Sequence, residues 1–322
     1  MSFAELLASF QKTRALVVGD LMLDEYIFGK VTRISQEAPV MVVRQSTTRS
    51  VPGGAANVAA NMVAMGADTR IIGVLGADAA GDTLAAALAG WGIGEEDLIR
   101  DPSRPTTRKT RVVANHSHQV LRIDHEEETP VSGAVEQAVL DRALAAMTSV
   151  DVVLISDYVK GAVTSKIIQE IVRQGKRLSV PVVANPKPQS LPFYAGAFLL
   201  SLNQYEVGDF LHLGGGVPPA MAERAALDLR ERLGVDCVLV TLGANGMAAA
   251  AEETFSVPAV KVELYDEAGA GDTVIATVAL GVGAKAFSKQ LLHLAAQTAG
   301  SVVQKVGVTT PTKEDLARIA SL

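Results

Sequence analysis

Along this 322-residue chain, short continuous apolar runs alternate with longer segments whose apolar residues recur at helical spacing. Leu6 to Lys12 has the spacing of a short amphipathic helix. Ala15-Leu16-Val17-Val18 closing on Gly19-Asp20 predicts a buried parallel strand that delivers a polar group to a site. Pro52-Gly53-Gly54 opens a helix over Ala55 to Met65, with Asn57 in its first turn; strand Thr69 to Leu75, the turn Gly76-Ala77-Asp78 and helix Ala80 to Trp91 follow. The rhythm resumes with helix Val131 to Met147, strand Asp151 to Ser156, helix Thr164 to Leu178, and strands Pro181 to Ala184 and Ala197 to Leu200. Helix Pro219 to Leu233, strand Asp236 to Thr241, an antiparallel pair near Met247 to Ala251 and Thr254 to Val257, and two terminal helices complete it. Repeated βα units imply an α/β fold with a doubly wound, mainly parallel sheet covered by helices on both faces. Ligands then belong at the C-terminal ends of the strands.

Two stretches break that rhythm. From Tyr26 to Ser50, β-branched and polar residues alternate, as in Val40-Met41-Val42-Val43-Arg44-Gln45, which suits a sheet with one wet face. A second alternating block, Thr106 to Val113, a polar turn at Asn115-His116-Ser117-His118 and the run Gln119 to Asp124 read as a hairpin. Both lie outside the main sheet in this reading, as a small β lid of about 22–51 and 105–125 on a single domain of 1–322.

With 48% hydrophobic and 20% charged residues the chain can bury a large core, and its net charge is −6. No basic run or aromatic-interleaved basic stripe is present, so nucleic acid is not an expected partner. No apolar stretch reaches membrane-spanning length, and Met1 to Lys12 lacks the basic-then-apolar order of a signal peptide. The one cysteine, Cys237, falls inside an apolar run, which predicts a buried strand residue, excludes a disulfide framework and fits a reducing cytoplasm. Five histidines and this cysteine form no structural-metal spacing, no Gly-x-Ser-x-Gly elbow is present, and no Gly-x-Gly-x-x-Gly follows the first strand.

Chemistry concentrates in Tyr265-Asp266-Glu267-Ala268-Gly269-Ala270-Gly271-Asp272-Thr273, which runs into the apolar segment Val274 to Gly283. With almost no side chains, the backbone N–H groups of Gly269, Ala270 and Gly271 can converge on a phosphate at a helix start. Asp272 has no reason to bind phosphate, but as an ionised group there it can take a proton from an attacking hydroxyl. The pairing points to phosphoryl transfer to an alcohol; the same tetrapeptide is also an ordinary loop ending in an N-cap. Asp20, Gly53, Gly54, Asn57, Asp157, Lys187, Asn203, Glu206, Thr241 and Gly243 all fall just after apolar strands or at helix starts. Singly each has a plain reading: Asp157 as a turn residue, Lys187 as solvated, Asn203 with Glu206 as a capping box, Gly214-Gly215-Gly216 as a flexible connection. Their joint placement on one sheet edge favours a site.

Gly19-Asp20, Pro52-Gly53-Gly54-Ala55-Ala56-Asn57, the Asn203 to Glu206 spacing, Thr241-Leu242-Gly243 and Asp266-x-x-Gly269-Ala270-Gly271-Asp272 together resemble the ribokinase-like (PfkB-type) carbohydrate kinases, over essentially the whole chain. Within that family, Gly19 to Asp24, Arg33-Ile34-Ser35-Gln36-Glu37-Ala38-Pro39-Val40 and Ser156-Asp157-Tyr158-Val159-Lys160-Gly161 look most like the heptose 7-phosphate kinases. These phosphorylate the 1-hydroxyl of D-glycero-D-manno-heptose 7-phosphate during lipopolysaccharide precursor synthesis. That subfamily often carries a fused nucleotidyltransferase domain, for which no room is expected before Leu322.

The resemblance implies ATP and Mg²⁺ as cofactors, a catalytic base at Asp272 and an anion hole at Gly269 to Gly271. It implies sugar contacts from Asp20, Gly53, Gly54 and Asn57, and a nucleotide site lined by Lys187, Asn203, Thr241, Gly243 and Gly246. Glu206 would organise Mg²⁺ through water, and Asp266 would help bind a monovalent cation such as K⁺. A sugar phosphate demands cations, for which Arg33, Lys109, Arg111, Arg122 and Lys160 are the candidates, with Asp157 beside them. In relatives the lids of two subunits can clasp, which implies a homodimer. The chain departs from the family pattern at Ala268, where relatives usually have Thr, and at Ser201-Leu202-Asn203 in place of Thr-Pro-Asn. It departs again at Asn185-Pro186-Lys187, where the subfamily's Asp-Pro-Lys loses a carboxylate. The alternatives are a same-fold kinase for another sugar or nucleoside, and a non-catalytic sugar or nucleotide sensor.

Overall fold

The computed structural model describes residues 1–114 and 118–322. The expected turn at Asn115, His116 and Ser117 lies outside the described residues. A capping box between Ser2 and Glu5 starts helix α1 (Phe3–Phe10), which leads to strand β1 (Arg14–Gly19). The chain leaves the main sheet at Asp20 as β2 (Leu21–Ile34), returns as β3 (Met41–Gly54), and enters α2 (Ala55–Ala64). Next come β4 (Asp68–Gly76), α3 (Ala79–Gly90), β5 (Leu98–Asp101), and a second excursion formed by β6 (Thr107–Ala114) and β7 (His118–His125). Then follow α4 (Gly133–Ala146), β8 (Val152–Ser156), α5 (Ser165–Leu178), β9 (Val182–Asn185), β10 (Leu199–Asn203), α6 (Gln204–Phe210) and α7 (Ala222–Leu233). The chain finishes through β11 (Cys237–Thr241), β12 (Met247–Ala250), β13 (Thr254–Val257), α8 (Ala270–Gly283), α9 (Lys289–Val302) and α10 (Lys313–Ala320).

The main sheet has nine strands in the order β13-β12-β11-β10-β9-β8-β1-β4-β5, parallel from β5 to β11 with an antiparallel hairpin at the far edge. Both faces are covered, so side chains alternate between two cores. Val17 belongs to the core that also holds Met62 of α2, Ile275 of α8 and Leu294 of α9, while Leu16 and Val18 belong to the one that holds Leu140 of α4, Ile168 of α5 and Leu229 of α7. The short strand β5, helix α6 and a third C-terminal helix are additions to the elements read from the sequence. Four residues of β5 are too few for periodicity to register, and α6 grows from the Asn203–Glu206 capping box.

Strand order reverses around β1, which has β4 and then β5 on one side and β8 to β11 on the other. The resulting crevice falls where Gly19 pairs with Ser156. Both excursions from the main sheet join in a smaller four-stranded sheet, β3-β2-β6-β7, in which β2 pairs antiparallel with β3 and parallel with β6. The two ends of the β2–β3 excursion are pinned together, since Ala55 donates its amide to the Asp20 carbonyl at 3.1 Å. Gly54 turns the chain there at φ +54°, a conformation open to glycine.

Gly19 is packed so closely that an added Cβ would overlap the Ser156 carbonyl oxygen and approach the Ala55 Cβ to 2.8 Å. Gly19→Ala is therefore expected to lose about 1–3 kcal/mol of stability through overpacking, read as a lowered denaturant midpoint.

Candidate functional site

Asp272 lies in the first turn of α8, 8% exposed. The helix starts there because Gly269 takes φ +84° and turns the chain into an apolar, helix-compatible run. Asn57, one turn into α2, donates to Asp272 Oδ2 at 2.7 Å, and the Tyr158 hydroxyl donates to Oδ1 at 2.5 Å. Behind Asn57 the network continues: Asn61 donates to Asn57 Oδ1 at 3.1 Å, and Thr273 donates to Asn61 Oδ1 at 2.8 Å. Burial pushes the Asp272 carboxyl up to about 6, with the two donors opposing the rise.

The expected anion hole changes in one member. Ala270 gives its amide to the Glu267 carbonyl at 3.2 Å, whereas the amides of Gly271 and Asp272 have no partner among the described residues. The Gly269 amide is open as well, so the open donors at this helix end are Gly269, Gly271 and Asp272.

Three of the selected acids bind backbone amides. Asp20 is 2% exposed and accepts the amides of Tyr158 (2.8 Å), Lys160 (3.1 Å) and Ala162 (3.0 Å), so it anchors the loop after β8. Burial raises its carboxyl to about 6. Asp157, 1% exposed, accepts from Val159 N–H and Tyr194 O–H, both at 3.0 Å, and braces the same loop; burial raises its carboxyl too. Asp266 accepts the amides of Ala268 and Gly307, each at 3.0 Å, and clasps two loops where a monovalent-cation ligand was expected. Asn57 bonds both Asp272 and Asn61.

Asp24 went unselected in the sequence reading. It sits on β2, 5% exposed, in an ion pair with Arg111 of β6. Gly53 of β3 lies directly against it, leaving no room for a Cβ. Charge on Asp24 also raises the Asp272 carboxyl, which brings the two acids into one electrostatic neighbourhood. Its signal was present in the run Leu21-Met22-Leu23-Asp24, an acid at a position apolar enough to be buried. Arg111 stacks over the Tyr26 ring at 5.4 Å from its centroid. Lys109 and Lys160 converge on Glu126, at 3.9 and 2.8 Å, and Lys160 also reaches Glu128. Arg33 is exposed near the end of β2, and Arg122 pairs with Asp124 on β7.

Further along the strand ends, Asn203 caps α6 by accepting the amides of Tyr205 and Glu206, and Glu206 Oε2 accepts the Asn203 amide, the reciprocal capping box. Glu206 Oε1 takes Lys187 Nζ at 2.5 Å, and Lys187 lies 5.2 Å from the Tyr158 ring centroid. Thr241 pairs in register with Asn203, and Gly243 (φ +57°) and Gly246 (φ +90°) form the turn after it. Ser156 and Asn185, register partners on β8 and β9, each carry a buried oxygen without a partner among the described residues. Unmet polar atoms side by side on a ligand-binding edge fit a site completed by ligand or water. Among the described residues no cluster of three His, Cys, Asp or Glu is placed to hold a metal. Such a set fits Mg²⁺ arriving with nucleotide phosphates and not a metal caged by protein alone. A groove of about 480 Å³ between Val182, Phe198, Val282 and Phe287 holds none of these residues, so the site rests on side-chain chemistry and not on cavity size.

Asp20→Ala, leaving one buried and two partly buried amides unpaired, is expected to cost roughly 3 kcal/mol in unfolding free energy. A purely sugar-binding Asp20 would instead give normal denaturant stability and a raised sugar KM.

Over residues 12–315 the chain matches the pfkB family carbohydrate kinase profile. It is 40% identical over 312 residues to the bifunctional protein HldE of Desulfatibacillum aliphaticivorans, covering 95% of this chain and 63% of that protein. To the bifunctional protein HldE of Nitrobacter hamburgensis it is 38% identical over 313 residues, 96% of this chain and 64% of the relative. The chain thus spans a little under two thirds of the length of these curated relatives. Its fold matches Escherichia coli phosphofructokinase-2 in complex with substrates and products, with a TM-score of 0.80 at 16% identity, over 96% of this chain and 98% of that one. Arabidopsis thaliana ribokinase complexed with ribose and ATP matches with a TM-score of 0.75 at 21% identity, over 96% and 99%. This chain, with its ribokinase-like fold, belongs to the pfkB family of carbohydrate kinases, phosphotransferases that use ATP.

Proposed function

We propose that this kinase transfers the γ-phosphate of ATP to the 1-hydroxyl of D-glycero-D-manno-heptose 7-phosphate, with Asp272 as the base. The observation that carries the chemistry is the pairing of a buried Asp272 carboxylate with the open amides of Gly271 and Asp272 at one helix start. The choice of sugar is supported by the identity to the HldE proteins and by the resemblance of Arg33 to Val40 and Ser156 to Gly161 to heptose 7-phosphate kinases.

In this reading the acceptor hydroxyl lies between Asp24 and Asp272, with Gly53 and Gly54 giving it close backbone approach. Asp272 takes its proton as the oxygen attacks, while the positive end of the 14-residue helix α8 faces the moving phosphoryl group. Arg111 pairs with Asp24 and holds its carboxylate in place beside the sugar. Lys109 and Lys160, already drawn together by Glu126, hold the 7-phosphate in exchange for that carboxylate. Lys187, Thr241, Gly243 and Gly246 line the nucleotide, and Glu206 with Asn185 would hold Mg²⁺. Bound Mg²⁺ supplies charge neutralisation on the phosphates. The smaller sheet acts as a lid that excludes water; its exposed Ile34, Met41, Leu121 and Ile123 form the apolar surface a second copy would cover in a homodimer.

The test is ATP-dependent phosphorylation of heptose 7-phosphate beside ribose, fructose, fructose 6-phosphate and adenosine. Turnover confined to the heptose phosphate is expected; turnover on another acceptor would move the specificity and keep the mechanism. Asp272→Asn should reduce kcat by roughly 10²–10⁴ with the fold intact, and near-normal turnover would remove Asp272 as the base. The pH profile gives a second check. Because the base works ionised and its carboxyl sits at about 6, kcat should fall as pH drops through about 6 and level off above it. A rate flat down to pH 4.5 would contradict this assignment.

A further inference from the structure

Tyr158 takes no part in the transfer just described, yet the loop after β8 is built to place it. On its N-terminal side, Asp157 is fixed by Tyr194. On its C-terminal side, Val159 is held at φ +55°, in the left-handed region that β-branched residues avoid. Such a conformation persists only where the surroundings over-determine it. Here they do: Asp157 accepts the Val159 amide, and Asp20 accepts the amides of Tyr158, Lys160 and Ala162. Two buried carboxylates and one strained residue therefore serve a single result, a phenol delivered to Asp272 Oδ1 at 2.5 Å with Lys187 over its ring.

The other carboxylate oxygen is already served by Asn57, whose own oxygen is held by Asn61. Tyr158 is thus the donor on Asp272 that is not part of the α2–α8 packing. It is also the one whose chemistry matches an acceptor, a hydroxyl on carbon. Burial and the charge of Asp272 hold its ionisation well above the ordinary range, so it remains a donor at working pH. We infer that Tyr158 occupies the acceptor-hydroxyl position on Asp272 when no sugar is bound, and so denies the base to water. This rests on the reading of Asp272 as the base.

The reaction it suppresses is ATP hydrolysis. Water oxygen bonds to the γ-phosphorus, the bond to the β,γ-bridging oxygen breaks, ADP leaves with that electron pair, and the proton of water passes to Asp272. A lone water brings only its own hydrogen bonds to the exchange and competes poorly with a phenol tethered beside the carboxylate. A sugar brings contacts to the smaller sheet as well, and can spend that remote binding on displacing the phenol. Tyr158 is accordingly a positioning residue whose effect is on the partition between hydrolysis and transfer.

The experiment is phosphate release from Mg²⁺-ATP with no sugar present, comparing the unsubstituted chain, Tyr158→Phe, Asp272→Asn and the double variant. Tyr158→Phe is expected to raise sugar-independent hydrolysis about tenfold or more, the weight of one hydrogen bond to a charged group. The gain should vanish in the double variant. An unchanged or lower hydrolysis rate in Tyr158→Phe, at an unshifted thermal midpoint, overturns the inference, since a merely structural tyrosine would depress hydrolysis and transfer together. A gain that survives in the double variant overturns Asp272 as the base, and the inference with it. No arm uses a sugar, so an error in the proposed acceptor leaves the result readable. Should Tyr158→Phe fold poorly, Tyr158→Met, which also removes the hydroxyl, must raise hydrolysis in the same assay, and no rise overturns the inference equally.

Discussion

A carboxylate taken out of water has to be met by donors, and the centre of this molecule is arranged around that requirement at Asp272. One donor comes from α2 and one from the loop after β8, elements far apart in sequence that the topology brings to the same crevice. The α2 contact is itself backed by Asn61 and Thr273, so the packing of α2 on α8 and the orientation of the carboxylate are one and the same structure. Leaving a buried network half satisfied costs more than leaving it out, which ties the fold of this region to the chemistry it supports.

Asp20 and Asp157 extend the same economy of construction. Each follows a central strand at the point where strand order reverses, a place where exposed polar groups would be expected to meet ligand. Asp20 accepts three amides of the six-residue stretch Asp157 to Ala162 and Asp157 accepts a fourth beside the Tyr194 hydroxyl, in a stretch with little regular secondary structure of its own to satisfy them.

Much of the architecture was legible in the sequence, because apolar runs flanked by small residues and helical periodicity survive whatever the tertiary contacts do. The alternating texture of Tyr26 to Ser50 and Thr106 to Asp124 likewise marked strands with a wet face, now found in one smaller sheet. Position along the chain also singled out Asp272, Asn57, Lys187 and Glu206 as candidates, since strand ends and helix starts are readable. What each acid does was not readable. Whether Asp20 accepts a sugar hydroxyl or three backbone amides depends on the path of residues about 140 positions away. Asp24 escaped because it lies within a strand and not at its end, and Tyr158 because nothing in its neighbours' spacing announces a phenol turned toward α8.

The two ends of the β2–β3 excursion lie one hydrogen bond apart, at Asp20 and Ala55. The long ribbon of β2 and β3 therefore grows from a single root, while Asp272 and Asn57 belong to the body beneath it. Inheritance can treat that ribbon as a cassette. Residues along it can vary while the contact of Asn57 with Asp272 below is kept. A fixed body beneath a replaceable ribbon is an economical way for one scaffold to diversify what it binds.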